Sequence, residues 1–244
     1  STKDQLILHF QPVVAAVTRE VHYFEALVRL EIDGKLIFPG EFIPAIERGE
    51  DINLLDHQVI SKAMSMISKH SVLEKVAINL SAQAFSDERL LPLVEEKLNQ
   101  YNVNPQQIIF EVTESASLTN LGATQDMIQK LMELGCEFSI DDFGTGFSTF
   151  SYLKQLPANC VKVDGSFVKD MKDNPIDKAL VKSICEVARA LDKTTVAEFV
   201  EDEETAQELQ GLGVDYLQGY HISKPLGIDV IEERYELKRN AGNF

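Results

Sequence analysis

The stretch VAINLSAQAFSDERLLPLVEEKLNQYNVNPQQIIFEV, residues 76–112, decides the fold. It opens on a short apolar run, VAINL (76–80), and closes on another, IIFEV (108–112), each with one polar residue near its end. Between them Leu90, Leu93, Val94 and Leu98 recur at helical spacing. Strand, amphipathic helix and strand in that order build a parallel sheet, because the crossover helix returns the chain to the same end of the sheet.

The unit repeats along the chain. EFSID (137–141), VKVD (161–164), TVAE (195–198) and DYLQ (215–218) are further short runs. Met127, Ile128, Leu131 and Leu134, then Leu180, Ile184, Val187 and Leu191, mark helices, with Gly135, Gly211 and Gly213 at expected helix ends. The polar residues Asn79, Glu111, Asp141, Lys162, Glu198 and Gln218 are separated by 32, 30, 21, 36 and 20 residues. Those are lengths of βα units and predict closure into a barrel. An open doubly wound sheet is disfavoured, since no glycine fingerprint for a dinucleotide follows the first strand. No linker or low-complexity run interrupts the series, so a single domain is expected over residues 1–244.

Composition agrees with one soluble globular domain: 244 residues, 44% apolar and 25% charged. Thirty-nine acids against 23 bases give a net charge of −16, which repels polyanions and disfavours nucleic-acid polymers and anionic membranes as partners. An acid excess still handles phosphate where divalent cations lie between carboxylate and substrate. The longest apolar run, Pro12 to Val17, is far too short to span a bilayer, and no signal peptide is visible. Ser1 stands where an initiator Met would be and strand-like sequence begins at once, so a domain cut from a longer multidomain protein is expected. Cys136, Cys160 and Cys185 have no paired spacing and read as reduced core residues of a cytoplasmic protein; the five histidines show no ligand spacing.

Strand alternation says where the polar groups point. Asn79 shares a face with Ala77, Glu111 with Ile109, Asp141 with Ser139 and Glu198 with Val196. One polar group per strand then faces inward at the C-terminal end, the end of an α/β barrel where catalytic residues collect. Lys162 and Asp164 fall on one face and are expected to pair. Glu114 and Glu201 follow Glu111 and Glu198 by three, so each must sit in a loop and fold back. Asp141 and Asp142 reach one site only if the chain turns there, which Gly144 and Gly146 permit. Carboxylates and an Asn carbonyl without clustered His or Cys suit Mg²⁺ or Mn²⁺, and two such ions favour in-line attack on a phosphodiester.

The residues also carry a family resemblance. Glu25-Ala26-Leu27 within FEALVR, NLS (79–81), EVTE (111–114), DDFGTGF (141–147), KVD (162–164), AEFVE (197–201), QGY (218–220) and KPL (224–226) resemble, in order, the motif series of EAL domains. The resemblance implies a modified TIM (β/α)8 barrel with an antiparallel first strand. It also implies a phosphodiesterase that opens cyclic di-GMP to linear pGpG with two Mg²⁺ or Mn²⁺ ions. By the same resemblance Glu25, Asn79, Glu111 and Asp141 hold one metal, and Asp141 with Asp142 the second. Glu198 and Gln218 are implied to hold the water nucleophile, and Lys162 to act as base or orienting cation. Leu27 and Arg29 are implied to contact substrate, Arg29 by its guanidinium fork. Gln11 is a candidate for a guanine edge and Asp164 for substrate, Glu114 for the anchor of the DDFGTGF loop, and Glu201 for a supporting acid. A homodimer and N-terminal sensory or GGDEF domains are implied as well.

Phe199 departs from the family pattern, which has Gly there, and Phe147 and Thr149 replace Tyr and Ser. Alternation sends Phe199 away from Glu198, as an outer packing residue. Two other functions compete. An inert cyclic di-GMP receptor normally loses motif acids, and this chain keeps them. An enolase-type barrel with Lys162 as base is disfavoured by the adjacent aspartates.

Overall fold

The computed structural model of the chain describes residues 5–49, 52–145 and 150–241. In chain order its elements are β1 (Leu6–Ala15), β2 (Val21–Ile32), β3 (Lys35–Ile37), α1 (Pro39–Gly49), α2 (Ile52–Lys69), β4 (Val76–Asn79) and α3 (Leu90–Gln100). There follow β5 (Ile108–Thr113), α4 (Glu114–Thr119), α5 (Leu121–Glu133), β6 (Glu137–Phe143), α6 (Phe150–Leu153), β7 (Cys160–Val163) and α7 (Gly165–Lys169). The chain ends with α8 (Pro175–Ala190), β8 (Thr194–Ala197), α9 (Glu203–Gly211), β9 (Tyr216–Leu217) and α10 (Ile228–Ala241).

The strands close into a barrel in the order β1-β2-β4-β5-β6-β7-β8-β9, with β9 returning to β1. The first strand runs antiparallel to both neighbours, and every pairing from β2–β4 through β8–β9 is parallel. This is the modified (β/α)8 architecture, with β3 as an extra strand on the far end of β2. The β1–β2 hairpin is long, pairing Leu6 with Leu30 at one end and Val14 with Val21 at the other. Only Phe24–Ala26 of β2 pair with β4. Leu27 and Arg29 therefore stand beyond the barrel rim, on the side where β4 to β9 end.

Two apolar layers result from the alternation. Ala77, Ile109 and Val196 join Val13 and Tyr23 in a small cluster inside the barrel. Val76, Ile78, Ile108, Phe110, Phe138 and Ile140 face outward into the large core shared with the helices. Burying these strands on both faces removes apolar area worth about 25 cal/mol per Å². It also leaves the inner ends of the strands as the one place where polar groups can converge. Asp202, Glu203 and Glu204 open α9, as their composition suggests, with the Asp202 side chain accepting from Thr205 N at 2.8 Å. No helix among the described residues is long and apolar enough to cross a membrane.

Candidate active site at the barrel mouth

Lys162 stands at the centre of the mouth with no exposure to solvent. Its Nζ lies 3.1 Å from Glu111, 3.2 Å from Glu25, 3.1 Å from Glu198 and 4.0 Å from Asp141. Glu25, Glu111 and Asp141 arrive on three different strands, and Glu198 immediately follows a fourth. Burial opposes the charge on Lys162, but Asp141, Glu111, Glu25 and Glu198 together hold its pKa well above the usual lysine value. Lys162 is thus an ammonium in this arrangement.

One ammonium does not match the acids around it. Burial pushes Glu111 and Glu198 well above the carboxylate range, against the pull of Lys162, and neighbouring carboxylates add to the rise. Asp142 rises to about 6, through burial first and then Asp141 and Asp164. Burial also opposes the charge on Glu25, yet Lys162 and donors from Asn79 and Gln218 keep its pKa below the ordinary value. Asn79 Nδ2 donates to Glu25 at 2.9 Å, and Gln218 Nε2 donates at 2.5 Å. Carboxylate oxygens of Glu25, Glu111 and Asp141 all come within 4.8 Å of one another, as do those of Asp141, Asp142 and Glu198. The two triads share Asp141. With all five carboxylates ionised, one ammonium leaves four negative charges in excess, the amount two divalent cations would balance, and the all-oxygen donor set suits Mg²⁺ or Mn²⁺.

Asp141 and Asp142 face one site because β6 is irregular there. The β6–β7 register shifts between Ile140 and Phe143, and Asp142 adopts φ +51°. A bulge in the strand, formed before the glycines, turns Asp142 back toward Asp141. Gly144 follows with φ +107°, and its N–H donates to Glu114 Oε2 at 2.8 Å. Glu114, buried at the start of α4, so ties β5 to the segment after β6. Gly146, Phe147 and Thr149 lie outside the described residues.

The Gln218 turn is held by its neighbour. Val200 N donates to Gln218 O at 3.0 Å, and His221 N donates to Val200 O at 3.0 Å. At Gly219, φ +158°, a Cβ would lie 2.3 Å from Val200 backbone atoms, so only glycine fits. Gln218 Nε2 also donates to Gln11 Oε1 at 3.0 Å, and Gln11 Nε2 donates to Ser223 O at 3.1 Å. Each end of the Gln11 amide thus makes one hydrogen bond inside the protein, one of them to Gln218.

Arg29 is buried beside the cluster, yet its Nε makes no hydrogen bond. Its guanidinium lies over the Phe38 ring at 4.7 Å, and Nη1 donates to Val28 O at 2.9 Å. Among the described residues no carboxylate pairs with it. Leu27 is half-buried on the same face of β2.

Three expectations are revised, the first two where alternation was extended past the end of a strand. Asp164 does not pair with Lys162: β7 ends at Val163, and the Asp164 carboxylate caps α7 by accepting from Ser166 N at 2.8 Å. Phe199 is not an outward packing residue: β8 ends at Ala197, and Phe199 is 58% exposed with φ +57°. Glu201 stays exposed and joins neither carboxylate triad.

Two neighbours of the site were missed. Tyr23 is buried inside the barrel and its hydroxyl donates to Glu111 at 3.4 Å; it precedes Glu25 by two, so the same alternation points to it. Asp56, on the buried stripe of α2, accepts from Ser81 Oγ at 2.5 Å and Ser81 N at 3.3 Å, holding the turn after Asn79. An acid among Ile52, Val59, Ile60 and Ala63 is the signal that could have found it.

Comparison with known proteins fits this geometry. The EAL domain family matches residues 1–225. The cyclic di-GMP phosphodiesterase PdeB of Shewanella oneidensis is 35% identical over 241 residues, covering 97% of this chain and 28% of that protein. The cyclic di-GMP phosphodiesterase PdeF of Escherichia coli is 37% identical over 224 residues, 90% of this chain and 30% of that protein. The chain thus spans less than a third of the length of these relatives. Among solved structures, the PaMucR phosphodiesterase in complex with c-di-GMP superimposes with a TM-score of 0.88 at 34% identity, covering 94% of this chain and 95% of that one. The FimX EAL domain from Pseudomonas aeruginosa bound to c-di-GMP gives 0.86 at 27% identity, covering 91% of each. With its barrel, its ordered motifs and its carboxylate mouth, the chain belongs to the EAL domain family.

Proposed function

We propose that this chain hydrolyses one phosphodiester bond of cyclic di-GMP to give linear pGpG, with two divalent cations. The observation that carries the reading is the pair of carboxylate triads sharing Asp141 around a single lysine. Glu25, Asn79, Glu111 and Asp141 would hold one cation, Asn79 through its carbonyl oxygen, and Asp141 with Asp142 the other. When bound, such ions polarise a phosphoryl oxygen and make water a stronger nucleophile.

The protein's own groups do the rest. Glu198 and Gln218 project from adjacent strand ends joined through Val200 and orient the attacking water. Lys162, an ammonium among four acids, fixes Glu25, Glu111 and Glu198, which supports the role of orienting cation over that of base. Arg29 offers to a substrate phosphate a desolvated guanidinium with no acid partner among the described residues, and Leu27 lies beside it against the ligand. Glu201, being exposed, is proposed to act only at the margin of the site.

We propose further that this is one domain of a longer cytoplasmic protein, a location with which its free cysteines agree. By family resemblance it pairs with a second copy and is regulated by sensory or GGDEF domains. Purified chain incubated with Mg²⁺ or Mn²⁺ and cyclic di-GMP is expected to yield pGpG, and Glu25→Ala to abolish the product. Tight binding without turnover in either metal would move the assignment to a receptor.

A further inference from the structure

Glu198 lies one residue beyond the end of β8, so no ladder hydrogen bond within the strand fixes it. Yet its Oε1 meets Lys162 at 3.1 Å and shares a triad with Asp141 and Asp142. The residue after it, Phe199, is unusual in two ways. Its φ of +57° is a conformation that side chains disfavour, and the residue is more than half exposed, so burial offsets little of that cost.

The ring has one close seat. A Cβ built on Gly165 would lie 1.8 Å from Phe199 Cδ2 and 2.6 Å from Cγ and Cε2, and these ring atoms are its three nearest neighbours. Phe199 therefore rests directly on the Cα of Gly165. Gly165 opens α7 two residues after the end of β7, the strand that carries Lys162. The ring and the Glu198–Lys162 pair thus tie the same two strand ends together at two points.

We propose that Phe199 is a positioning residue: its ring, seated on Gly165, straps the segment after β8 to the segment after β7 and so holds Glu198, which orients the attacking water, beside Asp141 and Asp142 where the second cation would sit. The strained backbone places the ring on its seat. Glycine at 199, the family's usual residue, would relieve the strain and lose the strap. A Cβ at position 165 would strike the ring first, and the backbone of Gly165 is not in the left-handed region, so the ring is the main obstacle to alanine there. The inference rests on the two-cation reading of the mouth.

Reciprocal variants test it, read by Mn²⁺ calorimetry and by steady-state turnover of cyclic di-GMP. Gly165→Ala forces the ring off its seat and is expected to weaken the lower-affinity Mn²⁺ site by about ten- to a hundredfold, with kcat falling more than KM rises. Phe199→Gly is expected to give the same loss while its unfolding temperature stays within about 3 °C of wild type. Phe199→Tyr keeps the seat and should retain wild-type affinity. In Gly165→Ala/Phe199→Gly the added methyl has no ring to strike, so the double variant should be no worse than Phe199→Gly alone. Wild-type Mn²⁺ affinity in Phe199→Gly or Gly165→Ala, or additive losses in the double variant, would overturn the proposal. If wild type fails to open cyclic di-GMP but the Mn²⁺ pattern holds, the functional reading fails and the positioning role stands.

Discussion

At the scale of single residues, Arg29 and Asp56 show how placement sets chemistry. Arg29 is a buried guanidinium whose neighbours are a ring and a carbonyl, so Arg29→Ala should lower kcat/KM for cyclic di-GMP about ten- to a hundredfold, the value of a charge-assisted hydrogen bond. Arg29→Lys should not restore it, because an ammonium lacks the planar fork. Asp56 titrates at about 6, raised by burial more than its Ser81 donors lower it. The folded state therefore keeps a proton that the unfolded chain loses near pH 4, and this group's contribution to stability should fall as pH rises from about 4 to 6. Denaturant titrations across that window should show a shallower fall in Asp56→Asn. The inward acids Glu111, Asp141 and Glu198 were legible from a period of two, because they stand in strands or at their very ends. Asp164 and Phe199 were not, since the period lapses where a four-residue strand stops, and no periodicity governs the loop that holds Glu201.

At the scale of elements, the site depends on two irregularities that no periodicity announces. The bulge in β6 brings Asp142 to Asp141, and the loops after β8 and β9 are stitched through Val200. Gly219→Ala should therefore destabilise the fold by about 1–3 kcal/mol from backbone strain alone, with the clash against Val200 added, as measured by urea unfolding. It should also lower turnover by displacing Gln218. The βα units were readable because their helices carry clean apolar stripes and their strands are buried on both faces. The reversed first strand was not, because alternation is the same in either direction; the motif order supplied it through the family resemblance. The β3 hairpin is signalled only by its turn, Asp33-Gly34, both at positive φ; the strand itself is three residues with little buried surface and no readable alternation.

For the whole molecule, the net charge of −16 is partly a property of one place. Five acids and one lysine crowd the mouth, and burial already pushes Glu111, Glu198 and Asp142 toward their protonated forms. Cations that relieve this should stabilise the native state: at Mn²⁺ a hundred times its dissociation constant, the unfolding temperature should rise by about 5–10 °C per site. Glu25→Gln should diminish the rise. The central claim is that two ions fill the shared triads and that ring opening needs both. The most direct measurement counts Mn²⁺ bound per chain by calorimetry while pGpG formation is followed across the same titration. The account predicts two ions per chain and turnover that tracks occupancy of the second. A single bound ion at full activity, or undiminished ring opening after chelation, would contradict it.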